Sequence, residues 1–194
     1  GKLIIAMLGG IHSGECDGKE ALLALARDLA AARATGKDAA KSDSPDALSK
    51  LLDSCILAFI PIYNPDANEK LDPKNRPGQV GPDTMGKREH AAGLALNRAF
   101  VKLEAPETRA LLKFINQYDP HILIDTHTTN GSFHRYPLTY DTNKNPAGDA
   151  KLLEFARKTM LPDIAKAVKE HYNLDTFWYG NFDRSAPNLA DYLG

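Results

Sequence analysis

The chain has 194 residues, 43% of them hydrophobic, and a formal net charge of −1 at pH 7. This length and apolar content suffice for one globular domain with a substantial core. Neither sign of charge dominates and no apolar run approaches the roughly 20 residues of a membrane span, so the composition predicts neither a nucleic-acid partner nor a transmembrane helix.

The first predicted element is a buried strand that ends beside a possible pair of metal ligands. Residues 3–8 form an apolar run, and Gly9 and Gly10 follow it. His12 and Glu15 come next, at the exit of the strand, which is the edge where open α/β sheets bind ligands. Zinc binds the nitrogen atoms of imidazole groups and the oxygen atoms of carboxylate groups. The spacing alone suits a hydrogen-bonded pair in a polar turn equally well.

Strands and helices alternate along the rest of the chain, which predicts an α/β fold. Residues 68–97 interrupt the alternation with a stretch rich in Gly, Pro and charge, and irregular stretches of this length are usually functional. The predicted elements are helices over 17–33 (with Gly36 as a stop) and 44–52, a strand over 55–60, a helix over 107–117, a strand over 121–127, and a helical region over 147–172 interrupted at Pro162.

A catalytic zinc usually takes three protein ligands, so a third ligand is needed. His127 is the candidate, because it ends the apolar run over 121–127 and precedes a turn-rich segment. Two strand ends would then converge on one ion. Taken alone, a histidine in this position is more often structural.

Five short segments are informative as an ordered set. They are His12-Ser13-Gly14-Glu15, Asn64-Pro65-Asp66, Arg88, Asn97-Arg98 and His127. In this order they resemble the zinc carboxypeptidases of the M14 metallopeptidase family, whose pattern is HxxE, Asn-Pro-Asp, an Arg ahead of an Asn-Arg pair, and a His at a strand end. The joint pattern spans residues 1 to about 135 and is far more specific than any one of its segments.

The resemblance implies a metallopeptidase with one Zn2+ per chain, held by His12, Glu15 and His127. The implied substrate is a peptide or cell-wall peptide with a free C-terminal carboxylate, whose last amide bond is hydrolysed. A zinc ion supplies this chemistry by lowering the pKa of a bound water and polarising the carbonyl. Many members of the family are secreted or periplasmic.

The resemblance also implies roles for three further residues. Asn97 and Arg98 would bind the terminal carboxylate, since a planar guanidinium donates two parallel hydrogen bonds to such a group. Arg88 would polarise the scissile carbonyl and stabilise the developing oxyanion. The charged run around Arg88 is equally typical of a solvated surface side chain.

The family pattern is broken at some positions. Ala95 stands where the family commonly has an Asp that hydrogen-bonds the second ring nitrogen of the first zinc histidine, and His90 and Ala99 replace Asp or Asn. Loss of such a partner typically costs roughly 10 to 100-fold in metal affinity or activity. Asp125 is a candidate replacement partner for His12, because it lies on the same strand face as His127.

The general base of the family, a glutamate downstream of the last zinc ligand, has no match. Glu154 and Glu170 are the glutamates after His127, and both lie in patterns typical of solvated helix faces. We therefore expect residues 1–194 to be a single catalytic domain in fragment form, without the family's leading strands and without the part that carries the base.

The expected fold is a mixed, mostly parallel central sheet flanked by helices on both faces, incomplete in this chain. One alternative is a zinc deacylase of the aspartoacylase and succinylglutamate desuccinylase kind, which shares HxxE and an Asn-Arg pair but cleaves N-acyl amino acids. Ala95 favours another, a non-catalytic relative that binds peptide C-termini. Cys16 and Cys55 could pair or stay free.

Overall fold

A computed structural model describes residues 1–35, 47–131, 134–143 and 145–179 of the chain. The chain divides into two compact units, Gly1–Ser132 and Phe133–Gly194. All six residues with a predicted role at the site belong to the first unit. The organisation of residues 1–194 as one catalytic domain stays a prediction.

A three-stranded parallel sheet forms the centre of the first unit. Strand β1 (Leu3–Leu8) lies between β2 (Cys55–Ile60) and β3 (Ile122–Asp125). The register aligns Leu8 with the last residue of each neighbouring strand. Because the strands are parallel and end level with one another, the loops that follow β1 and β3 begin side by side at one edge of the sheet.

Helices pack around this sheet, so the predicted α/β fold is confirmed. Helix α1 contacts β1, and α2 contacts both α1 and β2. The helices of this unit are α1 (Cys16–Thr35), α2 (Ala47–Ser54), the short α3 (Pro65–Asn68) and α4 (Pro106–Tyr118). The main apolar cluster joins the end of β1 to α4 and consists of Leu8, Ile11, Tyr63, Leu96, Ala99, Ala105 and Leu111, with Ile60, Phe114 and Ile115 against it.

Two local differences from the sequence prediction bear on the site. Strand β3 ends at Asp125, so His127 lies in the loop that follows rather than on the strand. The Asn64-Pro65 dipeptide favours a turn on its sequence, but in the structure this segment begins α3, because the Asn64 side chain accepts a hydrogen bond from the Ala67 N–H and Pro65 occupies the first turn. Gly36 and the helix start predicted at residues 44–46 lie outside the described residues.

The second unit combines a parallel strand pair with a long helical region. Its elements are β4 (Leu138–Tyr140), paired with β5 (Thr176–Trp178), and α5 (Ala150–Phe155) joined to α6 (Leu161–Tyr172) by a π-helical turn, Ala156–Met160. The interruption predicted at Pro162 is not found, because the helical backbone continues through this residue. Pro162 lies in the first turn of α6, directly after the wider π turn, where its missing N–H is tolerated.

Two further observations concern the whole described chain. Cys16 and Cys55 are free thiols, the first half-buried and the second buried. Among the residues that the structure describes, no helix has the length and apolarity needed to cross a bilayer.

Candidate metal centre

The three predicted metal ligands lie together at the edge of the sheet. His12 and Glu15 come from the loop after β1, and His127 comes from the loop after β3. One potential ligand atom from each residue lies within 4.8 Å of the others. His12 Nδ1 is 2.8 Å from Glu15 Oε1, and His127 Nδ1 is 2.9 Å from Glu15 Oε2. Both imidazoles therefore direct Nδ1 at the same carboxylate.

Gly9 and Gly10 allow the loop after β1 to pack closely against the loop after β2. A Cβ atom at Gly9 would lie 3.1 Å from the Pro61 carbonyl oxygen, and Gly10 has a φ of +68°, a backbone region that L side chains rarely adopt. The Gly9 N–H donates to Ile60 O at 2.9 Å, and its carbonyl accepts from Tyr63 N at 3.0 Å. The loop that carries His12 is thereby fixed to the loop after β2.

Glu15 is an ionised carboxylate surrounded by donors. Its side chain is 3% exposed, and besides the two imidazoles it accepts hydrogen bonds from Arg76 Nη2 and Thr128 N, both at 3.1 Å. Burial raises the pKa of the Glu15 carboxyl, but hydrogen bonds from His12 and His127 outweigh that effect and hold the pKa well below its usual range. A metal ligand must be deprotonated, which Glu15 satisfies.

Asp125 is a partner of the third ligand. Its Oδ2 lies 3.0 Å from His127 Nε2, the ring nitrogen that does not face Glu15. This hydrogen bond, followed by the one to Glu15, raises the pKa of His127 to about 9. The expectation that Asp125 would serve His12 is therefore not met: among the described residues, its carboxylate is bonded to His127, two residues along the chain, and not to His12.

The second ring nitrogen of His12, Nε2, is buried. His12 is 3% exposed, and its Nε2 makes no hydrogen bond to any part of the chain that the structure describes. Ala95 precedes a 3-10 turn, Leu96–Arg98, and its methyl group cannot accept a hydrogen bond. The departure noted at Ala95 thus coincides with an orphaned ring nitrogen on the first candidate ligand.

The residues present fit a zinc ion. Two histidines and one glutamate are a ligand set of known catalytic zinc sites. Metal-binding histidines almost always donate their other ring N–H to an acceptor, and ligating carboxylates are hydrogen-bonded in turn. His127 and Glu15 meet this requirement through Asp125, Arg76 and Thr128, whereas His12 does not.

Arg88 lies on a segment that is bonded to the loop of the first two ligands. The Ser13 N–H donates to the carbonyl oxygen of Lys87 at 3.1 Å. Asn64 Nδ2 donates to Ile11 O at 3.3 Å and to Arg88 O at 3.5 Å. Asn64 is completely buried, so this link is shielded from water. The half-buried Arg88 is therefore held beside the HxxE segment through its backbone.

Asn97 and Arg98 lie on the 3-10 turn. Leu96 anchors this turn in the core, and the exposed Arg98 donates from Nη1 to its neighbour's carbonyl, Asn97 O, at 3.3 Å. Asn97 Oδ1 is buried and has no hydrogen-bond partner among the residues that the structure describes. Within the described residues, no hydrogen bond joins either side chain to the three candidate ligands.

The two glutamates considered as bases lie on helices of the second unit. Glu154 accepts a hydrogen bond from Lys158 Nζ at 2.8 Å, and the Glu170 carboxylate lies 3.8 Å from Lys166 Nζ. In both pairs the two residues are four positions apart, about one helical turn. All four side chains are exposed. These are solvated helix faces, as the sequence pattern predicted.

The sequence did not reveal Arg76, Gln79 or Thr128 as neighbours of the site. Arg76 and Gln79 lie in the irregular segment, where no periodicity or spacing distinguishes them. Thr128 contributes its backbone N–H, for which any residue type except proline would serve. The sequence signal that could have indicated Thr128 is its position directly after the predicted ligand His127.

The fold and the site together define a class: an α/β protein whose parallel strands bring a candidate His-Glu-His metal site to one edge of the sheet. Residues 1–181 match the sequence profile of the zinc carboxypeptidase family, peptidase family M14. The chain belongs to this family.

Several known proteins are similar to the chain. A protein named Probable carboxypeptidase 2, of Arthroderma benhamiae, is 31% identical over 126 residues, which are 65% of this chain and 19% of the relative. Carboxypeptidase 2 of Trichophyton tonsurans is 30% identical over 126 residues, covering 65% and 18%. A metallo-carboxypeptidase from Burkholderia cenocepacia has a TM-score of 0.64 at 18% identity, covering 93% of this chain and 42% of that structure, and supports the fold. The match takes in about a fifth of the curated relatives' length.

Proposed function

We propose that the chain provides the metal centre of a zinc metallocarboxypeptidase that hydrolyses the C-terminal amide bond of peptides. The observation that carries this proposal is the convergence of His12, Glu15 and His127, with both Nδ1 atoms directed at one buried carboxylate. One Zn2+ per chain, held by these three residues, would lower the pKa of a bound water and polarise the carbonyl.

The rest of the proposed site follows the family pattern. Arg88, fixed beside the HxxE loop, donates to the scissile carbonyl and to the oxyanion that develops from it. Asn97 and Arg98 bind the terminal carboxylate of a peptide or cell-wall peptide. No general base is proposed in this chain, because both late glutamates are paired with lysines on exposed helix faces.

Arg98→Ala is expected to weaken binding of a peptide with a free C-terminus about 10 to 150-fold, because a hydrogen bond to a charged group is worth roughly 1.5–3 kcal/mol. Binding of the same peptide with an amidated C-terminus should hardly change. Calorimetry on the zinc-loaded chain measures both affinities. Arg33→Ala, at another exposed arginine, is the matched control. Equal losses for both peptides would contradict the role given to Arg98.

Zinc affinity is expected to rise with pH up to about pH 9. A ligating imidazole must be neutral, and the pKa of about 9 at His127 means that a proton competes with the ion below that pH. The apparent affinity should therefore increase about tenfold per pH unit from pH 7 and level off above pH 9. Competition with a chromophoric chelator measures it.

The matched variant for this pH dependence is Asp125→Asn. It replaces the carboxylate that contributes most to the raised pKa of His127 with a neutral amide, so the plateau should begin at a lower pH. An affinity that is independent of pH between 7 and 9 in the unmodified chain would contradict the prediction.

The substrate class is tested by comparing turnover of a hippurate-type peptide with that of an N-acetylated amino acid. Cleavage of the peptide supports the proposal. Cleavage of the N-acyl amino acid alone would indicate a zinc deacylase. Peptide binding without turnover of either compound, in zinc-loaded protein, is the result expected if these residues supply the metal centre but not the general base. The same result would fit a non-catalytic relative, for which the orphaned His12 Nε2 is the supporting observation.

A further inference from the structure

Arg76 connects the proposed metal ligands to a loop that the family pattern does not mark. Its side chain is 7% exposed and approaches Glu15, whose side chain is 3% exposed. Arg76 Nη2 donates to Glu15 Oε1 at 3.1 Å and to Asn130 Oδ1 at 2.9 Å. One nitrogen is thus held between the candidate ligand and the loop that carries His127.

Residues 76–79, here named the clasp, dock on the residues after His127. Gln79 Nε2 donates to Thr128 Oγ1 at 3.0 Å and to Thr129 O at 2.8 Å. Gly131 has a φ of +107°, and a Cβ atom there would overlap the carbonyl oxygen of Gly78. The backbones of the two segments are therefore in direct contact.

The glycine inside the HxxE segment makes room for Arg76. A Cβ atom at Gly14 would lie 2.6 Å from Arg76 Cγ, closer than real Cβ contacts come. A larger residue at position 14 would displace the arginine from Glu15. The approach of Arg76 to the carboxylate is thus built into the loop of the first two ligands.

The donors around Glu15 divide into two kinds. His12 and His127 present Nδ1 to the carboxylate, and an imidazole that binds a metal through Nδ1 uses that lone pair for the ion and cannot donate from it. Arg76 on Oε1 and Thr128 N–H on Oε2 are the donors that stay available to the carboxylate in a metal-bound site. Arg76 Nη1 has no hydrogen-bond partner in the part of the chain described, so Glu15 is the carboxylate that engages this guanidinium.

We infer that Arg76 is a positioning residue for Glu15, which fixes the orientation in which the carboxylate meets the metal ion. The inference rests on the proposed zinc centre. Buried carboxylate ligands are normally oriented by such hydrogen bonds, and loss of an outer partner typically costs roughly 10 to 100-fold in metal affinity. Asn130 holds the guanidinium from the opposite side, so Arg76 also ties the orientation of Glu15 to the loop of the third ligand.

The test measures zinc affinity, by chelator competition, and the visible spectrum of the Co2+-loaded chain, which reports ligand geometry. Arg76→Gln should bind zinc about 10 to 100-fold more weakly and change the cobalt spectrum. Gln79→Ala is the matched control, because it releases the same clasp without touching Glu15, and its spectrum should stay unchanged. Thermal unfolding in EDTA verifies that each variant folds.

The outcomes separate this inference from the proposed function. Failure of the unmodified chain to bind zinc would overturn both together. Zinc binding by the unmodified chain, with the same affinity and spectrum in Arg76→Gln, would overturn the inference alone, as would equal changes in Gln79→Ala. If Arg76→Gln does not fold, Arg76→Lys decides: full retention of affinity and spectrum would show that charge suffices and would overturn the orienting role, whereas a loss supports it.

Discussion

Glu15→Ala is expected to destabilise the metal-free chain by about 3–5 kcal/mol, the usual cost of removing one partner from a buried ion pair. The substitution leaves Arg76, with a side chain 7% exposed, inside the protein without its carboxylate. It also removes the acceptor of Thr128 N–H and of both imidazoles. Urea unfolding in EDTA measures the change in the free energy of unfolding.

Glu20→Ala is the matched control for this prediction. Glu20 has a side chain that is 68% exposed and lies 3.6 Å from Lys19 Nζ, so its removal should have little effect. This pair contributes little because the Glu20 carboxylate stays solvated, although the Lys19 side chain is 21% exposed. A free energy of unfolding for Glu15→Ala that lies within the error of the Glu20→Ala value would contradict the environment described for Glu15.

Ala95→Asp is expected to increase zinc affinity about 10 to 100-fold, the reverse of the usual cost of losing an outer hydrogen-bond partner. The reason is the buried His12 Nε2, which has no acceptor in the described chain. In the family that acceptor is commonly an Asp at the position of Ala95. Chelator competition at pH 7 compares the variant with the unmodified chain.

The carboxylate introduced at position 95 has a second potential partner, the backbone of the 3-10 turn that follows it, so a control is needed. Ala95 is the N-cap residue of the 3-10 turn and makes no side-chain capping bond. An Asp there could cap the turn instead, which would raise stability without changing zinc binding. Ala95→Ser tests this: its hydroxyl caps the turn but is one carbon shorter than the Asp carboxylate. Equal zinc affinities in both variants would contradict the account of His12.

The sheet and the meeting of the ligands were predictable because the signals are local and strong. Continuous apolar runs marked β1, β2 and most of β3, and parallel strands in one register must deliver their following loops to one edge. His127 could be named as the third ligand from its place at the end of an apolar run. The choice of a metal site over a hydrogen-bonded pair needed the family pattern, because the spacing of His12 and Glu15 fits both equally well. In the structure that hydrogen bond is present within the same cluster.

The hydrogen-bond partners around the ligands were not predictable from sequence. Asp125 lies close enough in sequence to be expected near the site, but its choice of His127 over His12 depends on where β3 ends. Arg76 approaches Glu15 from an irregular segment, and this contact depends on the space that Gly14 leaves. Such contacts arise from loop packing, for which a sequence carries no periodic signal.

The zinc content of the purified chain, measured by elemental analysis for the unmodified protein beside His12→Ala and His127→Ala, tests the central claim most directly. The geometry of the three ligands predicts one zinc per chain in the unmodified protein and its loss in both variants. Absence of zinc from the unmodified protein after zinc is added back, or full retention in either variant, would contradict the proposed metal centre.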